Sequence, residues 1–256
     1  MENKMISIVS FKGGVGKTAI ALNLAKAAGD YDIKALLWEI DRNPGSLSSI
    51  LDLDPSINVV SAIMNPEGLT YYTHRIKGEK FDVLLGPPDS IIGEEIEEIE
   101  KIRGVIDTAK KIYKLMIMDL GPYIDKLLIQ IMNESDLILL IVEPEVSSIA
   151  KARANIDLIT EKTEYDLSNK MWAVINKTTK SDNISFNQIS DALKIPVCIK
   201  ISYDKKYRSK INRIESSVPE TKISKGCEKI LKRIYPGAKK PEKRKRFLFF
   251  KKGNKK

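Results

Sequence analysis

Apolar runs alternate with stretches of helical spacing along most of the chain. Residues 6–9, 33–41, 82–85, 114–119, 137–142, 171–175 and 197–201 read as buried strands, rich in Ile, Leu, Val and Met. Between them, residues 19–25, 46–51, 92–111, 147–159, 204–214 and 223–235 predict helices, several with apolar side chains three and four positions apart. Strands alternating with helices predict an α/β fold with a doubly wound, mostly parallel sheet. No internal repeat is visible. One domain is expected over residues 1–235, followed by a flexible basic tail over 236–256, with Pro236, Gly237 and Pro241 ending the last helix.

Between the first strand and the first helix lies Phe11-Lys12-Gly13-Gly14-Val15-Gly16-Lys17-Thr18. A glycine-rich turn in that position presents backbone N–H groups to an anion at a helix N-terminus. Gly13, Gly14, Val15, Gly16, Lys17, Thr18 and Ala19 form a candidate phosphate cradle. Lys17 supplies a mobile cation for the β and γ phosphates, and Thr18 a hydroxyl for Mg²⁺. The fold class expected is therefore a single P-loop NTPase domain binding a nucleotide with Mg²⁺. Phe11 stands where the general motif has its first glycine, and Lys12 is an additional lysine.

Two acids at strand ends fit the same site. Asp119 ends an apolar run and is followed by Leu120-Gly121-Pro122, a Walker B pattern that would hold Mg²⁺, largely through water. Asp41 closes the second strand, where a nucleotide site wants an acid; a turn aspartate would occupy the same place. The acidic run Glu94, Glu95, Glu97, Glu98 and Glu100 reads as a solvated helix face.

Composition narrows the partners. Of 256 residues, 43 are Lys or Arg and 34 Asp or Glu, and the excess is confined to the C-terminal part. Residues 1–199 carry net charge −7, residues 200–235 carry +7 and residues 236–256 carry +9. That asymmetry points to an anionic partner, a membrane or a nucleic acid. No run approaches transmembrane length, and the first strand starts close to Met1, so no signal peptide is expected. Cys198 and Cys227 are expected as reduced thiols, and His74 as a surface residue outside any zinc site.

The Lys12-Gly-Gly-Val-Gly-Lys-Thr form resembles the deviant Walker A loop of the ParA/MinD family of ATPases. The resemblance implies a homodimer sandwiching two ATP molecules, with Lys12 reaching the partner's phosphates. It further implies slow hydrolysis accelerated by a partner protein. Catalytic roles fall on Lys12, Lys17 and Asp41, the last helping to position the attacking water. Glu39 stands where the family usually has a second Asp. The resemblance gives Asn176 the adenine edge, although an asparagine that merely ends its strand fits the same spacing. Gly86-Pro87-Pro88 looks like a segment of the pilus-assembly (CpaE/TadZ-like) branch, while Ile201-Ser202-Tyr203-Asp204 lacks the family's proline.

The tail places Phe247-Leu248-Phe249-Phe250 between basic clusters, similar in composition and place to the membrane-targeting helix of MinD-type proteins. A solubilising tail with a chance apolar cluster is the plain alternative. The expectation is a cytoplasmic, ATP-dependent positioning switch held peripherally on the inner face of the cell membrane, for division-site, pilus or secretion-apparatus placement. The alternative is a DNA-binding partition ATPase using the tail and the basic residues between Lys205 and Arg213. A metabolic relative using the loop for small-molecule or metal-cluster work is a third reading, disfavoured by the lack of a cysteine cluster.

Overall fold

Among the described residues eight strands form one sheet: β1 (Lys4–Val9), β2 (Ala35–Ile40), β3 (His74–Arg75), β4 (Phe81–Leu84), β5 (Leu115–Leu120), β6 (Leu137–Val142), β7 (Met171–Thr178) and β8 (Val197–Ser202). Their order is β3-β4-β2-β5-β1-β6-β7-β8, and every pairing is parallel except β3 with β4. This computed structural model describes residues 1–41, 45–96, 98–163, 165–205, 207 and 218–241.

Because side chains alternate along a strand, the sheet feeds two cores. Ile6, Ile8, Leu37 and Ile117 pack with α1 (Lys17–Asp30), α2 (Leu47–Leu51) and α9 (Lys222–Ile234). Met5, Val9, Trp38 and Met116 pack with α3 (Val59–Met64), α5 (Ile99–Ile112), α6 (Lys126–Glu134), α7 (Val146–Lys162) and α8 (Phe186–Leu193). Both faces are covered, which is why the strands read as continuous apolar runs. The loop after β1 emerges between the carboxyl ends of β5 and β6, where open α/β sheets bind ligands.

Two expectations need correction. The helix expected over 92–111 is two helices, α4 (Ser90–Glu95) and α5. Asp89 caps the first by accepting from the Ile92 amide, and the Gln130 side chain on α6 accepts from the Ile99 amide and starts the second. The clustered glutamates between them would repel one another in one continuous helix. His74 is half-buried in β3, its Nε2 2.9 Å from the Ile57 carbonyl, rather than on the surface. The basic helix expected over 204–214 lies mostly outside the described residues, and the Phe247–Phe250 cluster wholly so.

Candidate nucleotide-binding site

The loop from Phe11 to Thr18 is built around two left-handed glycines, Gly14 at φ +73° and Gly16 at φ +99°. A Cβ on Gly13 or Gly14 would meet nothing within 4 Å, so an open cradle lies over these backbone positions. Phe11, in place of the motif's first glycine, turns down into the core, and Val15 does the same on the opposite face of the sheet. Behind the loop, the Asn176 amide at the end of the β7 apolar run donates to the Val15 carbonyl at 2.7 Å. It also sits so close to Gly16 that a Cβ there would lie 2.5 Å from Nδ2. Asn176 is only 2 % exposed, so what the structure itself shows is a residue that holds the loop.

On the β5 side stand three carboxylates. Asp119 pairs in register with Ile8 of β1 and Glu39 of β2, which puts its carboxylate beside Thr18. The Thr18 hydroxyl hydrogen-bonds to it and Lys17 attracts it. Its Oδ1 is buried without a hydrogen-bond partner among the described residues. Burial, with the charges of Glu39 and Asp41, overcomes those two contacts and pushes its carboxyl up to about 7. A buried carboxylate oxygen with nothing to bind, next to a threonine hydroxyl, is a donor set suited to Mg²⁺. Asp41 lies against Gly121, where an added Cβ would meet its Cγ at 3.0 Å. The Gly121 amide in turn donates to the Ile40 carbonyl at 2.7 Å.

On the β6 side the arrangement differs. Lys12 Nζ donates to Glu143 Oε2 and to Glu145 Oε2, both at 2.7 Å. Lys177 Nζ donates to Glu143 Oε1 at 2.7 Å and to the Gly14 carbonyl at 2.6 Å. Glu143 thus ties the two lysines together beside the loop. Burial pushes the Glu143 carboxyl up, but the two lysines outweigh it and hold the group below its ordinary value. Lys12 is pushed up by the same two glutamates.

A family model described as an AAA domain matches residues 3–171. An ATP-binding protein of Methanocaldococcus jannaschii is 26% identical over 205 residues, covering 75% of this chain and 71% of its own. The MinC:MinD cell division complex of Aquifex aeolicus aligns at TM-score 0.74 and 25% identity over 94% of this chain and 98% of the other. A ParA family ATPase of Chlorobium tepidum has the same fold at TM-score 0.74 and 22% identity, covering 89% and 96%. The chain belongs to the ParA/MinD family of P-loop ATPases.

In this ParA/MinD chain the structure gathers Gly13 to Ala19, Asp41, Asp119 and Asn176 at one end of the sheet. Sequence reasoning missed Glu143, Glu145 and Lys177. The available signal was positional: Glu143 and Glu145 follow β6 and Lys177 lies near the end of β7, and the carboxyl ends of these strands neighbour the loop. No helix among the described residues is long and apolar enough to cross a membrane.

Proposed function

We propose that the chain is a Mg-ATP-dependent dimerising ATPase that acts as a spatial-positioning switch on an anionic membrane surface. The loop N–H groups and Lys17 take the β and γ phosphates, and Asn176 stands on the side of the base. Thr18 and Asp119 are the residues that would hold Mg²⁺, which when bound neutralises developing charge on the phosphates. Asp41 orients the attacking water. Lys12 leaves Glu143 and Glu145 to meet the phosphates of the second subunit, so dimerisation and ATP are coupled. A partner protein accelerates an intrinsically slow hydrolysis.

The observation that carries the membrane reading is the outer face of α9. Lys222, Lys225, Lys229, Lys232 and Arg233 are all exposed there, and the helix leads directly toward the basic tail. Each lysine or arginine near an anionic surface contributes about 1 kcal/mol, and two such faces on one dimer bind together far better than one. The same cations would hold DNA phosphates, the partition reading; the phenylalanines of residues 247–250 favour lipid, because phosphate binding has no use for them.

Co-sedimentation with vesicles of anionic lipid, using the full chain and a chain ending at Tyr235, tests this. ATP-driven binding that weakens on truncation supports it. Absence of lipid binding in both nucleotide states, with salt-sensitive DNA binding instead, moves the partition reading into first place.

A further inference from the structure

Glu39 occupies the position where a second acid is usual beside Asp41, and its surroundings differ from those of the acids that face the cradle. It is 5 % exposed and lies on the same face of the sheet as Asp119. Unlike Asp119, its carboxylate is satisfied by backbone. Leu47 N–H donates to Oε1 at 3.1 Å, and the N–H groups of Gly86 and Ser46 also bond to it. These donors come from two places: the start of α2, beyond the chain segment that follows Asp41, and the end of the neighbouring strand β4.

Gly45 completes the arrangement. A Cβ there would fall 1.8 Å from Glu39 Cδ and Oε1. Its backbone is not left-handed, so the requirement for glycine is one of space: the carboxylate lies flat against the Gly45 Cα. Gly86 is crowded from the other side, with a Cβ position 3.2 Å from the Glu39 carbonyl oxygen.

We propose that Glu39 is a positioning residue for hydrolysis, clasping the returning limb at Gly45–Leu47 so that Asp41 is held at its place against Gly121. In this assignment it touches neither nucleotide nor metal, and Gly45 is its steric counterpart. The inference rests on the ATPase reading above. The extra methylene of glutamate is essential to it. Aspartate would draw the carboxylate back by about 1.5 Å, beyond hydrogen-bond reach of the Leu47 amide. A reacting group displaced by about an ångström loses rate on the order of a hundredfold, while substrate binding is spared.

The test compares Glu39→Asp, Glu39→Gln and Gly45→Ala in the full chain, measuring kcat and KM for Mg-ATP, nucleotide affinity and melting temperature. Asp keeps the charge and loses the reach; Gln keeps the reach and a carbonyl acceptor for Leu47. The proposal expects kcat to fall at least about tenfold in Glu39→Asp, with KM little changed, and to be largely kept in Glu39→Gln. Gly45→Ala should lose kcat as well. Adding Glu39→Asp to it should restore melting temperature by vacating the space the new methyl needs, without restoring kcat. Activity kept in Glu39→Asp but lost in Glu39→Gln would assign Glu39 to charge or metal chemistry and overturn the proposal, as would full activity in both or loss in both. A wild-type chain that turns over no ATP would instead remove the ATPase reading itself, so the two failures are distinguishable.

Discussion

Two sets of carboxylates flank the phosphate loop, and they are in opposite conditions. On the β5 side, Asp119 is buried, has an oxygen without a hydrogen-bond partner among the described residues and is pushed up to about 7. On the β6 side, Glu143 is held below its ordinary value by Lys12 and Lys177. Asp119 in the first set is attracted by Lys17 but dominated by burial, whereas Glu143 in the second is dominated by two lysines of its own chain. The difference teaches how one loop serves two purposes. In the proposed reading, Mg²⁺ arriving with the nucleotide would offset the buried carboxylate on the β5 side. In the same proposed reading, Lys12 on the β6 side would leave its glutamates and cross to a second subunit.

The largest expected effect comes from removing the loop cation beside Asp119. Lys17→Ala should weaken ATP binding on the order of a hundredfold or more, since a desolvated phosphate contact is lost. Titration with a fluorescent ATP analogue checks it; unchanged affinity would contradict the cradle.

Next is Asp119→Asn, whose consequences should reverse with conditions. At pH 8 without metal it removes a charge whose burial outweighs its contacts with Thr18 and Lys17, so the melting temperature should rise by a few degrees. With Mg-ATP it should fall relative to wild type, because the donor suited to the ion is gone. A variant that melts lower in both conditions would show that Asp119 is already satisfied in the free protein.

On the β6 side effects should be smaller. Glu145 is half-exposed, so its pair with Lys12 is weakened by solvent screening. Glu145→Gln should therefore tighten ATP-dependent dimerisation by up to about fivefold, measured by analytical ultracentrifugation. Weaker dimerisation would mean that Glu145 serves the dimer rather than the free chain.

The smallest effect is on pH dependence. The folded-state value of Glu143 lies below its ordinary 4.5, so its contribution to stability is present above that value and is lost as pH falls through the folded one. Glu143→Gln should flatten the decline of melting temperature on acidification below pH 4.5, and an unchanged acid limb would remove the lysine pairing from the account.

The β5 half of the site was legible in the sequence because its chemistry is local. A glycine loop between strand and helix, and an acid closing an apolar run, are patterns of adjacent residues. Even the replacement of the first motif glycine by Phe11 has a local meaning, since the ring simply joins the core. The β6 half depends on residues more than a hundred positions apart. Lys12 meets Glu143 and Glu145 only because β6 lies beside β1, and Lys177 reaches Gly14 only because β7 lies beside β6. Parallel strands were expected; their order was not, and the order makes these pairs. Likewise α6 was missed although Asp125 caps it and Leu127, Leu128, Ile131 and Met132 are its buried stripe, whereas the helix expected over 92–111 is broken in two because periodicity does not register an amide captured by Gln130 from a neighbouring helix.

The most direct test of the account is the mass of the full chain by light scattering, with Mg-ATP and with Mg-ADP, for wild type, Asp41→Ala and Lys12→Ala. The account predicts monomer in ADP for all three, dimer in ATP for wild type and more persistently for the slowed Asp41→Ala chain, and monomer throughout for Lys12→Ala. A Lys12→Ala chain that dimerises with ATP as wild type does would contradict it, because the lysine held between Glu143 and Glu145 would then have no second subunit to reach.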